Sequence, residues 1–347
     1  MKKIANKIIG FIIDKVKRNR FVQSLFESPI NVNSYPRLGE FIDSFGNRFI
    51  LYKNLRNKIK PGWESMYNSS SILIVNNEII TKRANEGRIA VEKILPIIQT
   101  FLLGLQDKKV LEIGCNLGAA SYALAELGAK DVLGSEFSGY KVDSLGTGEA
   151  EVINQELKLN REKIAELFKK KSRVNFIDDD ICNSKLPSSN FDLICSWDVL
   201  EHLQNPESAF QNIARLLSDG GIAINEYNPF FSLNGGHSLC TLDFLWGHAR
   251  INNNDFYKYL TEFRPKEVEK AFSFFKDGLN RMTINDLIKY SNNAGLEILS
   301  LFMFTKEQHV RMLTNDILNQ CQNLYHNLQA VDLVNPRIIV VHRKRKI

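Results

Sequence analysis

The residues most able to do chemistry fall in two stretches, one acidic and glycine-bearing, the other rich in histidine and aromatic side chains. The first opens with Val110-Leu111-Glu112-Ile113-Gly114-Cys115-Asn116-Leu117-Gly118, an apolar run that breaks into a glycine turn. Gly114 and Gly118 let a backbone turn tightly and approach a ligand closely. Acidic residues then recur after further apolar runs. Glu136 follows Val132-Leu133-Gly134-Ser135 and can accept hydrogen bonds from both hydroxyls of a ribose, a feature shared with dinucleotide-binding folds. Asp178-Asp179-Asp180-Ile181 follows Phe176-Ile177, and one of these carboxylates can accept from an adenine amino group. Asp178 and Asp179 read as solvated loop charges. Phe191-Asp192-Leu193-Ile194-Cys195 leads into Ser196-Trp197-Asp198-Val199-Leu200-Glu201-His202, where Glu201 suits a helix start and His202 reads as a structural contact.

The second stretch runs from Asn228 to Arg250. His237 follows Gly235-Gly236 and is the candidate base for removing a proton from a hydroxyl acceptor near neutral pH. His248 and Arg250 are candidates for orienting an anionic or hydroxylated acceptor. His237, Cys240 and His248 fit no zinc spacing and lack a fourth ligand, so no metal is expected.

These residues need elements to hold them. From residue 85 onward strands and helices alternate: a helix over 88–103 with Pro96 inside it, a strand over 109–113, a helix over 117–127, a strand over 132–135, a long charged helix over 149–171, and strands over 174–177 and 191–196. A helix over 206–217 and, after Gly220-Gly221, a strand over 222–227 complete the run. The alternation implies a parallel sheet with helices on both faces, whose strands end at the acidic positions. Residues 228–282 break the pattern and sit where a substrate-covering insertion would. A helix opened by Thr283 and closed at Gly295, a strand over 296–304, a helix over 306–330 and a strand over 337–342 finish the chain. Ahead of residue 85, residues 29–80 read as an irregular, aromatic extension. Residues 3–26 carry Ile4, Ile8, Ile12 and Val16 at helical spacing among Lys and Arg, an amphipathic basic helix able to lie on an anionic membrane face or to pack on protein.

The order of glycine loop, two acidic strand ends, Phe191-Asp192-Leu193-Ile194-Cys195-Ser196-Trp197-Asp198-Val199-Leu200-Glu201-His202-Leu203 and Leu216-Leu217-Ser218-Asp219-Gly220-Gly221 resembles class I S-adenosylmethionine-dependent methyltransferases over roughly residues 85–228. The resemblance implies a Rossmann-like, seven-stranded α/β sheet, with residues 1–84 as an N-terminal extension and 85–347 as the methyltransferase domain, carrying a lid insertion (228–282) after its fifth strand. It implies S-adenosyl-L-methionine as cofactor and S-adenosyl-L-homocysteine as product. Glu112, Gly114, Cys115, Asn116 and Gly118 would shape the methionine end, Glu136 would bind ribose, Asp180 and Ile181 would read adenine, and Ser196 and Trp197 would lie beside the cofactor. Asn116 and Leu117 depart from the family, which has glycine and then a small hydroxyl residue there. Asn tolerates left-handed backbone angles, so the turn survives. The lid sequence Gly235-Gly236-His237-Ser238-Leu239-Cys240-Thr241-Leu242-Asp243-Phe244-Leu245-Trp246-Gly247-His248-Ala249-Arg250 is similar to lids of bacterial methyltransferases encoded among capsule and surface-glycan genes, which implies O-methylation of a sugar or sugar-linked acceptor in polysaccharide biosynthesis.

Composition narrows the alternatives. A net charge of +6 with 44% hydrophobic residues is ordinary for a globular protein. The basic runs lie at the two ends rather than interleaved with aromatics, which points away from nucleic acid, and no Asn/Asp-Pro-Pro-aromatic loop follows the fourth strand. RNA or protein methylation, or a non-catalytic scaffold with this fold, remain the competing readings; the oligomeric state is left open. Five cysteines, at 115, 182, 195, 240 and 321, form no CxxC pair and fit a reducing cytoplasm. No apolar run approaches the ~20 residues of a membrane span. Asp14 and a basic stretch follow the N-terminal apolar residues without a small-residue cleavage site, so no signal peptide is expected.

Overall fold

The computed structural model describes residues 29–64, 76–139 and 150–345, without the side chains of 150–154; the amphipathic segment at 3–26 lies outside the described residues. The described chain begins with an antiparallel hairpin, β1 (Arg37–Ile42) and β2 (Arg48–Tyr52), followed by the short helix α1 (Leu55–Ile59). The irregular extension expected over 29–80 is thus partly ordered. Phe41, Phe49 and Leu51 alternate onto one buried face of the hairpin, a short period-two pattern that aromatic residues on both faces hide in the sequence.

Helix α2 (Asn77–Leu102) starts eleven residues before the expected Arg88, because Asn76 caps it by accepting from the Ile79 N–H at 2.9 Å. It crosses the boundary expected at 84/85 and runs on through Pro96. Then come β3 (Lys109–Ile113), α3 (Ala119–Glu126), β4 (Asp131–Glu136), α4 (Ala150–Ala165), β5 (Val174–Asp178), β6 (Phe191–Trp197), α5 (Pro206–Leu216) and β7 (Leu217–Tyr227). The strand expected from Ile222 begins earlier, with Gly220-Gly221 at an irregularity in its pairing with β6 rather than ahead of it.

After β7 the lid forms four helices: α6 (His237–Cys240), α7 (Gly247–Arg250), α8 (Asn253–Phe263) and α9 (Val268–Asp277). Helix α10 (Ile284–Asn293), opened by a Thr283–Asp286 capping box, leads to β8 (Leu296–Met303). The single helix expected over 306–330 is three: α11 (Glu307–Met312), α12 (Asn315–Leu324) and α13 (Ala330–Val334). Thr314 restarts the chain by capping α12. Strand β9 (Ile338–Lys344) ends the fold.

The main sheet has seven strands in the order β5-β4-β3-β6-β7-β9-β8, parallel from β5 to β7, with β9 antiparallel to both its neighbours. One face is covered by α2, α3 and the end of α4, through Val91, Ile94, Leu124 and Ile164. The other is covered by α5 and α10, through Phe210, Ile213 and Leu287. A third core joins the lid to the N-terminal hairpin, with Phe41, Phe49, Phe230, Trp246, Phe256 and Phe275 among its members. This α/β arrangement is the Rossmann-like sheet with helices on both faces. The chain reverses direction across it between β3 and β6, so the carboxyl ends of those strands open a crevice for a ligand. No helix among the described residues is long and apolar enough to cross a membrane.

Candidate active site

The glycine loop leaves β3 at the centre of that crevice. Gly114 and Gly118 hold left-handed φ angles of 68° and 73°, and Asn116 holds one of 45°. A Cβ on Gly118 would lie 2.4 Å from the Phe176 ring, so both backbone angle and packing require glycine there. The Asn116 departure is absorbed: its N–H donates to Glu136 Oε2 at 2.6 Å, and its carbonyl accepts from Arg161 Nε at 2.8 Å. Cys115 is buried beneath the loop, 3.4 Å from Arg161 Nη2. Glu112 is buried too, accepting from the Ser121 hydroxyl, and burial pushes its carboxyl up to about 7.

Glu136 stands at the end of β4 and borders a cavity of about 430 Å³ shared with Tyr122, Arg161 and Phe176. Asp178 is exposed, as expected, and it also accepts from the Ser138 N–H at 3.1 Å and from the Ser138 hydroxyl, tying the segment after β4 to the end of β5. Asp179 Oδ2 is buried and without a hydrogen-bond partner among the described residues. Asp180 Oδ1 accepts from the Cys182 N–H at 2.9 Å and so caps a tight turn over Ile181–Asn183. Ile181 is buried and its carbonyl accepts from Asn212.

At the end of β6, Ser196 is buried between strands, donating to Asn225 Oδ1 at 2.8 Å, so its hydroxyl serves the sheet. Trp197 Nε1 is buried without a partner. Asp198, at φ 54°, pairs with Arg337 at 2.6 Å. Arg337 also reaches Glu226 at 3.0 Å, and Lys93 holds the same Glu226 oxygen at 2.7 Å.

His237 stands over these strand ends on a turn that only glycine permits: a Cβ on Gly235 would lie 2.1 Å from the Phe230 carbonyl oxygen. Its ring is 5.0 Å from that of His202, and its Nε2 is 3.9 Å from Glu201 Oε1 and without a hydrogen bond. Burial holds His237 well below the usual histidine range and pushes Glu201 up to about 8. Glu201 is no surface helix-dipole carboxylate. It is buried, accepts from the Asn228 N–H at 3.0 Å, and leaves Oε2 unpaired. His202 is bonded through Nδ1 to the Gly278 carbonyl at 2.7 Å. Glu201, His202 and His237 each bring one donor atom within 4.8 Å of the others, a set that can share a metal ion.

His248 and Arg250 are committed elsewhere. His248 is buried beneath Gly236, with Nε2 2.7 Å from the Phe230 carbonyl, and burial lowers it to about 4. Arg250 donates to Gln320 and to the Leu245 carbonyl, both at 2.8 Å, and stacks over Phe49. Both brace the lid, and these contacts occupy the groups expected to orient an acceptor.

A sequence model of a methyltransferase domain matches residues 86–301. The chain belongs to this methyltransferase family. Curated relatives are ubiquinone biosynthesis O-methyltransferases. That of Azoarcus sp. (strain BH72) is 26% identical over 199 residues, covering 57% of this chain and 68% of its own. That of Cupriavidus pinatubonensis is 30% identical over 200 residues, covering 58% and 64%. Another, from Dictyostelium discoideum, is matched over only 50% of its length. A solved S-adenosylmethionine-dependent methyltransferase from Mesorhizobium loti aligns over 72% of this chain and 97% of its own, at 15% identity and a TM-score of 0.44.

The methyltransferase uses S-adenosylmethionine, which supplies an electrophilic methyl group on a sulfonium. The crevice suits that group. Its glycine turn allows close backbone approach, and the buried Trp197 Nε1 and Asp179 Oδ2 have no hydrogen-bond partner among the described residues. Glu201, His202, Asp198 and Arg337 were not singled out as site residues from the sequence. The signal available was the acid/base pair Glu201-His202 set between the apolar Leu200 and Leu203, both of which pack inward.

Proposed function

We propose that this methyltransferase O-methylates a small hydroxylated acceptor, a sugar or sugar-linked molecule, with His237 as the base. The reading is carried by the buried, unpartnered Nε2 of His237 above the ends of β6 and β7. Burial keeps the ring neutral near pH 7, so its lone pair is available to accept the hydroxyl proton. The neighbouring Glu201 Oε1 lies 3.9 Å from that nitrogen, and burial holds its carboxyl toward the neutral form. O-methylation is also supported by the names of the relatives, and the sugar by the resemblance of the lid sequence. Glu112 and the glycine turn would hold the methionine end, Glu136 the ribose, and Asp180 with Ile181 the adenine, while Trp197 would close the pocket beside the reacting carbon. Holding the acceptor oxygen in line with the methyl carbon is then the main work of the lid.

The test is a single-turnover assay with His237→Asn. Its rate should fall by roughly 10²–10⁴ while calorimetric affinity for S-adenosylhomocysteine stays at the wild-type level; an undiminished rate removes His237 from the role. A second reading keeps the reaction but gives activation of the hydroxyl to a divalent cation on Glu201, His202 and His237, favoured by their 4.8 Å clustering. Loss of activity in EDTA, restored by Zn²⁺ or Mn²⁺, would decide for it.

A further inference from the structure

Asn116, at a φ of 45°, occupies the left-handed region, where a side chain is disfavoured and glycine is not. Its conformation therefore needs support, and two contacts give it. The Asn116 N–H donates to Glu136 Oε2 at 2.6 Å, and the Asn116 carbonyl accepts from Arg161 Nε at 2.8 Å. Another arm of the same guanidinium, Nη2, donates to Cys115 Sγ at 3.4 Å. One planar fork thus grips two consecutive residues of the turn, which a lysine ammonium is not shaped to do.

Arg161 is itself fixed at both ends. Its guanidinium stacks 4.3 Å from the centre of the Phe176 ring, the same ring against which Gly118 packs. Its carbonyl accepts from the Tyr122 hydroxyl at 3.3 Å, which ties α4 to α3 at this level. Tyr122 in turn meets Phe176 edge to face, with 5.6 Å between ring centres. Arg161, Tyr122, Phe176 and Glu136 all border the cavity of about 430 Å³. A chain of contacts therefore runs from α4 through the Asn116 turn to Glu136. Without the guanidinium the Asn116 peptide is free to relax out of the left-handed region, and its N–H then leaves Glu136.

We propose that Arg161 is a positioning residue of the cofactor site: it holds Asn116 in the left-handed turn, and the turn holds Glu136 in the orientation that the ribose needs. This rests on the reading of Glu136 as the ribose-binding carboxylate. A side chain forty-five positions away then supplies what a glycine at 116 would supply through its backbone alone. The two devices substitute for each other, so their effects on cofactor affinity should not add.

The experiment is a double-mutant cycle on Arg161 and Asn116, reading the calorimetric Kd for S-adenosylhomocysteine well below each variant's thermal midpoint, so that only folded protein is compared. Arg161→Met keeps an unbranched side chain to pack on Phe176 and removes the fork. It should weaken binding by about tenfold, the scale of one charge-assisted hydrogen bond. Asn116→Gly should bind within about threefold of wild type, because glycine keeps the turn unaided. Combining Arg161→Met with Asn116→Gly should recover most of the loss, to within about threefold of Asn116→Gly alone. An Arg161→Met protein that binds as tightly as wild type overturns the proposal. So does an equal loss in both backgrounds, which would mean that the guanidinium acts directly on the cofactor or through its charge. Arg161→Gln, too short to reach the turn, replaces Arg161→Met in the cycle if the latter does not fold. Glu136→Ala tests the underlying reading separately: wild-type affinity there removes Glu136 from the ribose, and the cycle still decides whether Arg161 holds the turn.

Discussion

At the scale of single residues, the cofactor loop is shaped as much by the protein's own packing as by the ligand it serves. Gly118 combines a left-handed φ of 73° with a Phe176 ring 2.4 Å from where a Cβ would sit. Gly118→Ala should therefore cost about 2–4 kcal/mol, part from the backbone angle and part from overpacking. The midpoint of urea denaturation should fall accordingly, and cofactor affinity should fall with it. Asn116 shows the opposite case, a non-glycine residue kept in the left-handed region because its backbone is bonded on both sides, to Glu136 and to Arg161. The sequence marks Asn116 as a departure but carries no sign of Arg161, which lies forty-five positions away on α4. Glu112 gives a second residue-scale prediction. Its carboxyl is raised to about 7 by burial, above the unfolded value, so its contribution is fully present below about pH 4.5 and lost as pH rises through 7. Glu112→Gln should leave stability unchanged near pH 4 and raise it by roughly 2–3 kcal/mol at pH 8, compared by denaturation at the two pH values.

At the scale of elements, the sheet was legible in the sequence and the lid was not, for a physical reason. Parallel strands covered on both faces read as continuous apolar runs, and β3, β4 and β6 appear in the sequence almost to their ends. The lid core is built from aromatic residues of many short elements, Phe41 and Phe49 from the hairpin meeting Phe244 and Tyr259 from the insertion. No periodicity within one segment reports such a core. The same distance in sequence hid the role of α1, whose Arg56 reaches the turn at Ser238. His248 and Arg250 drew attention as polar residues in a lid, yet the groups they face are lid carbonyls and aromatic rings. The Arg56–Glu267 pair is buried on both sides, so removing one partner strands the other. Arg56→Ala should destabilise the protein by about 3–5 kcal/mol, whereas Arg56→Met combined with Glu267→Leu should cost distinctly less. Denaturation of the single and double variants measures the difference, and equal losses would mean that the clamp acts through shape rather than charge.

At the scale of the whole molecule, buried titratable groups set a pH optimum for stability. Burial lowers five histidines: His248 and His309 to about 4, His342 to about 3, and His202 and His237 in the same direction. It raises three carboxyls, Glu112, Glu201 and Asp332. Below about pH 6.5 the unfolded chain takes up protons on histidines that the folded chain keeps neutral, so each histidine weakens the fold by roughly 1.4 kcal/mol per pH unit as pH falls toward its folded value. The raised carboxyls act oppositely, their contribution fading as pH rises from about 4.5 through their folded values. The histidines outnumber them below 6.5, and above 6.5 only the carboxyls still act. Stability should therefore peak near pH 6.5 and decline on both sides, more steeply toward acid. His342 is the cleanest probe of the acid limb, because its ring lies between β9 and α10 with Nε2 2.9 Å from the Ser291 hydroxyl, far from the crevice. His342→Gln should flatten the acid limb and leave the alkaline one, as Glu112→Gln should do in reverse. Denaturation midpoints from pH 4.5 to 8.5 for the three proteins test this, and an acid limb equally steep in His342→Gln would mean that other groups drive the acid loss.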